Sequence, residues 1–277
     1  MEKYKAWHWQ NFQSWKGTAW NLMADVLTPE VVAEFRREPP EYIVGDDLTW
    51  LDDIVERTTG DVIDTQDVFS DRLSGHYHAL RAFHGTRPLD KERFYKDGIR
   101  PLDSEEFEKI ALELFMDGSF PELSAEAIQI AIKKVGREHR EGLLYFEANE
   151  RHLVEHCAHY MLYGSEYVCA IAAHLSGSRD YRQHLKKFGT PTVFECDIPL
   201  ELVDYNLLKE FAGGALESMF STLINPSFKH AEMWNGAGLY IRQTLLPQYI
   251  VGHKNPTFLK DPLLGGRLVQ IESSASS

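Results

Sequence analysis

The chain has 277 residues, 43% of them hydrophobic and 12% aromatic. That is too apolar for a disordered chain and enough for one large domain or a domain with a sizeable extension. Its 29 basic and 42 acidic residues give a formal charge of −13, which opposes non-specific attachment to nucleic acid or an anionic membrane.

Residues 1–75 read as a mainly helical N-terminal extension, with helical segments near residues 15–26 and 29–37 that Pro39-Pro40 brings to a stop. From 77 to 83 the chain turns apolar, which predicts a strand ending at His84-Gly85-Thr86, where glycine permits a sharp turn or close ligand approach. Residues 88–97 predict a short helix stopped at Gly98, and 104–115 and 124–134 predict two longer amphipathic helices. Residues 142–148 form a short strand candidate. The segment 150–175 has the length and period of a substantial helix, with a break expected at Gly164-Ser165. Residues 190–198 alternate like a half-buried strand, and 239–241 and 249–252 suggest two more. An α+β domain over 76–270 follows, with a flexible tail at 271–277.

Cys157, Cys169 and Cys196 form no C-x-x-C pair and are expected as buried free thiols. The basic runs Lys133-Lys134 with Arg137 and Arg140, and 179–187, read as solvated faces. With no signal-peptide core at the N-terminus and no stretch of roughly 18 apolar residues, a cytoplasmic setting without a membrane span is expected.

The densest chemistry lies in Phe83-His84-Gly85-Thr86-Arg87. A histidine beside glycine at a strand end can offer its ring to a ribose hydroxyl while backbone amides approach the ligand. With 94–101 (Phe-Tyr-Lys-Asp-Gly-Ile-Arg-Pro) it resembles the first motif of the histidine-tyrosine branch of the ADP-ribosyltransferase superfamily, which includes the poly-ADP-ribose polymerase-like and diphtheria-toxin-like catalytic domains. Gly142-Leu-Leu-Tyr145-Phe-Glu-Ala148 is similar to the second motif, a short strand followed by a helix whose aromatics sandwich nicotinamide. Tyr145 and Tyr160 match those positions, with Tyr163 a rival to Tyr160. Residues 193–199 and 238–252 resemble the last strands. There the acidic residue of active transferases falls on Gln243 or Leu239, neither a carboxylate, and Glu232 and Glu166 are the nearby acids that could substitute.

The resemblance, spread over residues 78–255, implies an ADP-ribosyltransferase-like fold: split antiparallel β-sheets around a cleft, with several helices and the N-terminal extension. It implies NAD as substrate and no metal. His84, Tyr145, Tyr160, Gln243 and Glu232 would be catalytic; His84, Gly85, Thr86, Arg87, Tyr145 and Tyr163 would bind NAD, Arg87 through the pyrophosphate. The implied activity is mono-ADP-ribosyl transfer to an acceptor, macromolecule or small molecule, that the sequence does not identify. Such a transferase is compatible with a bacterial toxin, effector or anti-phage defence component.

Three other readings stay open. With the acid lost, the same fold would serve as a non-catalytic NAD or ADP-ribose sensor. His152-Leu-Val-Glu155-His156 matches the H-x-x-E-H pattern of zinc metallopeptidases, with His152, His156 and Glu232 as metal ligands. An RNA phosphotransferase would need Arg87, Arg100 and Arg242 to converge on one site.

Overall fold

Capping and breaking residues set most element boundaries in the computed structural model, which describes residues 4–138, 140–175, 179–233 and 237–271. Residues 272–277 of the expected tail lie outside the described residues. In chain order the first elements are β1 (Ala6–Trp7), α1 (Phe12–Leu22), α2 (Pro29–Arg37), α3 (Thr49–Thr59), α4 (Thr65–His76) and β2 (Ala79–Thr86). Next come α5 (Glu92–Asp97), α6 (Ser104–Phe115), α7 (Ala125–Val135), β3 (Leu144–Glu147), α8 (Glu150–Glu155), α9 (His159–Tyr163), α10 (Glu166–His174) and α11 (Arg182–Leu185). The chain closes with β4 (Thr192–Pro199), α12 (Tyr205–Ile224), α13 (His230–Met233), β5 (Gly238–Ile241), β6 (Ile250–Lys254), β7 (Phe258–Asp261) and β8 (Arg267–Gln270).

The expected helices at 29–37 and 104–115 form with those bounds. Thr28 caps α2 by accepting the Val31 N–H, and Asp103 caps α6 by accepting the Glu106 N–H. The expected helix over 150–175 is three helices. Gly164, at φ +80°, makes the anticipated break. A second break falls at His156, where α8 closes on backbone N–H bonds to His152 and Leu153. The twenty-residue α12 and the β7–β8 hairpin stand where no element was anticipated.

The chain divides into two compact units, residues 1–81 with 197–239, and 82–196 with 240–277. The first contains the expected extension together with α12, and its core is aromatic: Trp7, Trp9, Trp15, Phe35, Phe69 and Phe220 are all fully buried. Trp9 and Trp15 stack with centroids 5.8 Å apart. Within this unit α12 meets the 45–47 loop so closely that a Cβ at Gly213 would collide with the Gly45 carbonyl. The second unit packs α6, α7 and α10 around Phe115, Ile128, Leu162, Tyr167 and Ile171.

The main sheet runs β5-β3-β2-β4-β6, with β1 parallel to β2. β2–β3 and β4–β6 are antiparallel, as is the separate β7–β8 pair. The fold is α+β, as expected. Among the described residues no helix is long and apolar enough to cross a membrane.

Candidate functional site

The pairing of β2 with β3 fixes where the motif residues point. Phe83 stands opposite Glu147, so His84 stands opposite Phe146 and Gly85 opposite Tyr145. Side chains alternate between the faces of a sheet, so the His84 imidazole and the Tyr145 ring leave it on opposite sides. The His84 and Phe146 rings are neighbours, with centroids 5.6 Å apart. His84 Nδ1 lies 2.9 Å from the Tyr145 carbonyl, which assigns the proton to Nδ1. Burial lowers its pKa, partly offset by that bond, so the ring is neutral at pH 7.

The strand ends within the expected His84-Gly85-Thr86 stretch, at Thr86, with Gly85 still in the strand. Gly85 is buried, and an added Cβ would lie 3.2 Å from Leu153 Cδ1 and 3.4 Å from Met161 Cγ. The glycine therefore lets α8 and α9 approach the sheet; the close neighbour it admits is the protein's own core and not the expected ligand. Thr86 ends the strand, half-buried.

On the Tyr145 side a polar aromatic group assembles. Tyr145 is 41% exposed, and its ring meets that of Tyr240 on β5 edge-on at 6.2 Å. The Tyr160 hydroxyl donates to Glu166 Oε2 at 2.9 Å, and Arg140 Nη2 approaches Glu166 Oε1 at 3.4 Å. Glu166 reaches this position because Gly164-Ser165 ends α9 and starts α10 on a new axis, with Glu166 as the first residue of α10. Burial, followed by the Glu166 charge, raises the pKa of both Tyr145 and Tyr160, while Arg140 and Arg242 pull Tyr145 the other way. Arg242 lies over the Tyr240 ring, 5.5 Å from its centroid. The arrangement offers one carboxylate, three phenols and two guanidinium groups.

Several expected site residues are committed elsewhere. Arg87 donates Nε to the Phe188 carbonyl at 2.6 Å, Nη2 to the Lys186 carbonyl at 2.5 Å and Nη1 to the Met161 carbonyl at 3.3 Å. It staples backbone segments and is not disposed to clamp a pyrophosphate. Tyr163 is 3% exposed; its hydroxyl donates to Asp261 Oδ2 at 2.6 Å, and Lys186 caps its ring. It belongs to the core and cannot stack on a ligand. Leu239 is buried, Gln243 is exposed in the bend after β5, and Glu232 pairs with Lys229 at 2.8 Å in the first unit. Arg100 is paired with Glu106 at 3.0 Å, so the three arginines of a phosphotransferase site do not converge.

The H-x-x-E-H segment does not present a zincin face either. The six-residue α8 ends before His156, whose ring stacks on His152 at 5.1 Å. His152 Nδ1 is taken by Glu147 Oε2 at 2.8 Å, and Glu155 pairs with Arg151 at 3.0 Å. Among the described residues no group of three His, Cys, Asp or Glu side chains is placed to hold a metal ion. Cys157 Sγ is 3.9 Å from the same His152 nitrogen, and burial with the Glu147 charge pushes its pKa up. This thiol is half-buried, whereas Cys169 and Cys196 are buried as expected, and none of the three is in a disulfide.

Sequence reasoning missed Arg140 and Tyr240 as site residues. Arg140 lies in a run that reads as a solvated basic face, and its half-burial depends on the α10 start. Tyr240 could have been found, because period-two spacing in Gly-Leu-Tyr-Ile sets it on the face opposite the buried Leu239 and Ile241. No protein family, curated protein or solved structure matches this chain.

Proposed function

We propose that this chain binds NAD and transfers its ADP-ribose, with the chemistry on the tyrosine face of the second unit and the main sheet acting as that of an ADP-ribosyltransferase-like fold. The observation that carries the reading is the Tyr160–Glu166 pair beside Tyr145. It brings a carboxylate to the motif tyrosines although the last strand lacks one. Tyr145 and Tyr160 flank the nicotinamide end, and Glu166 accepts a hydrogen bond from the ribose hydroxyl. As the glycosidic C–N bond breaks, its electron pair leaves with nicotinamide and positive charge develops on the ribosyl carbon, which a fixed carboxylate stabilises. The acceptor's lone pair then forms the new bond to that carbon, and its proton passes to solvent. His84 is a positioning residue in this scheme: its Nδ1–H holds the Tyr145 carbonyl.

The test is nicotinamide release from NAD by the purified protein, with Glu166→Gln and His84→Ala beside it. Glu166→Gln is expected to lower kcat about 100-fold, the scale of losing one electrostatic stabiliser, while keeping NAD affinity. His84→Ala is expected to raise KM more than it lowers kcat. Full turnover in Glu166→Gln would overturn the assignment. The bend after β5 carries Gln243 and no acid, which favours a binding-only sensor as the second reading. Saturable NAD binding without nicotinamide release would establish it.

A further inference from the structure

We propose that Arg140 and Arg242 form a phosphate subsite beside Tyr145 and Tyr240, and that this subsite takes the diphosphate of a dinucleotide. The assignment rests on the NAD reading above and replaces Arg87, whose guanidinium is spent on three backbone carbonyls. The other second-unit arginines nearest to carboxylates are similarly committed: Arg137 to Glu108 at 2.7 Å, Arg182 to Asp180 at 2.7 Å, Arg100 to Glu106 at 3.0 Å and Arg151 to Glu155 at 3.0 Å.

Arg242 differs from these. It is exposed, and among the described residues it has no carboxylate partner, only the face of Tyr240. A guanidinium resting on an aromatic face keeps its N–H edge turned to solvent, where it can meet a phosphate in a bidentate fashion. Arg140 is half-finished. Its contact with Glu166 is 3.4 Å, longer than the 2.7–2.9 Å of a tight charged hydrogen bond. Its Nε is buried and has no hydrogen-bond partner among the described residues. A buried donor left without a partner is unfavourable, and a small rotation of the guanidinium toward a phosphate oxygen would relieve it. Arg242 comes to this place through Tyr240, whose ring it covers and which meets the Tyr145 ring at 6.2 Å, and Arg140 through Glu166, which Tyr160 also reaches; the charges of both arginines are felt at the Tyr145 phenol. Phosphates held there would leave the attached ribose beside Glu166, the group that meets its hydroxyl.

The experiment is calorimetric titration of wild type, Arg242→Gln and Arg140→Gln with ADP-ribose, with nicotinamide riboside, which has no phosphate, and with inorganic pyrophosphate. Arg242 is exposed, and unchanged thermal midpoints will show that its variant is folded. Arg242→Gln is expected to weaken ADP-ribose about 10-fold or more, the scale of one lost charge-assisted contact, and to leave nicotinamide riboside unchanged. Arg140→Gln should do the same, and added salt should narrow the difference. Pyrophosphate should compete with ADP-ribose. Equal losses for both nucleosides, or none, would overturn the subsite. Binding of pyrophosphate without ADP-ribose would mark a free-phosphate site and also overturn it. ADP-ribose binding that depends on Arg242 in a protein that releases no nicotinamide would keep the subsite and remove the transferase. Turnover whose KM ignores Arg242 would do the reverse.

Discussion

The two units use similar residues to opposite ends. Residues 1–81 with 197–239 hold 10 basic and 21 acidic residues, a net of −11, whereas 82–196 with 240–277 hold 19 and 21, a net of −2. The overall charge of −13 therefore says little about the unit that carries the tyrosine face. The excess of negative charge opposes phosphate-bearing ligands at the first unit and not at the second. Histidine shows the same contrast. His230, in the first unit, is buried with Nε2 3.0 Å from the Trp9 carbonyl and Nδ1 2.7 Å from Ser218 Oγ. His84, in the second, spends one nitrogen on the Tyr145 carbonyl, and no hydrogen bond from the other to a described residue accompanies it. A fully satisfied ring is structural; a half-satisfied ring that holds the Tyr145 carbonyl from the other face of the sheet can still position the tyrosine face.

The first unit breaks through its core. Trp15 is 1% exposed, stacks on Trp9 and donates its indole N–H to the Trp9 carbonyl at 3.0 Å. Trp15→Ala is expected to cost about 4 kcal/mol from lost burial and the cavity left behind, read as a lower denaturant midpoint. A loss under about 1 kcal/mol would remove the aromatic cluster as the unit's core.

His230 gives the next largest effect. Burial lowers its pKa from 6.5 to about 4, so the folded ring stays neutral where the unfolded ring would be protonated. Its contribution is fully present above pH 6.5 and is lost as pH falls toward 4, because there the unfolded state binds a proton that the fold refuses. A shift of that size corresponds to about 3 kcal/mol. Unfolding free energy measured from pH 7 to pH 4 should fall accordingly, and His230→Gln should flatten the slope. An unchanged slope in that variant would mean that other groups set the acid limit.

Local chemistry was legible where a side chain speaks to its own backbone. The Gly98 and Gly164 stops fall where the sequence reading sets them, and the bounds it gives for α2 and α6 are fixed by the Thr28 and Asp103 caps. α12 was not legible, because Gly213-Gly214 in its middle reads as a break. Only the docking of the Gly45 loop against them explains glycine there. The site split along the same line. The motif tyrosines could be picked from the sequence, and Tyr145 and Tyr160 do lie within electrostatic reach of one carboxylate. Yet the strand register that sends His84 to the other face depends on pairing β2 with a strand more than fifty residues away, which no local pattern encodes. Arg87 and Tyr163 have the right chemistry for a ligand, and only tertiary packing shows that carbonyls and Asp261 already occupy them.

The smallest effect compares one cap from each unit. Asp103 accepts the Glu106 N–H at 3.1 Å, while Thr28 accepts the Val31 N–H at 3.4 Å. Asp103 adds a negative charge at the positive end of α6. In α2 the following Pro29 has already removed one of the N–H groups that would otherwise need a partner. Asp103→Ala is therefore expected to cost about 1 kcal/mol, and Thr28→Ala less than about 0.5 kcal/mol. Both are measurable by denaturant titration at pH 7. A reversed order would show that the shorter, charged cap is not the stronger one, and that the weight of Thr28 lies in holding the turn into α2 through contacts other than its hydroxyl.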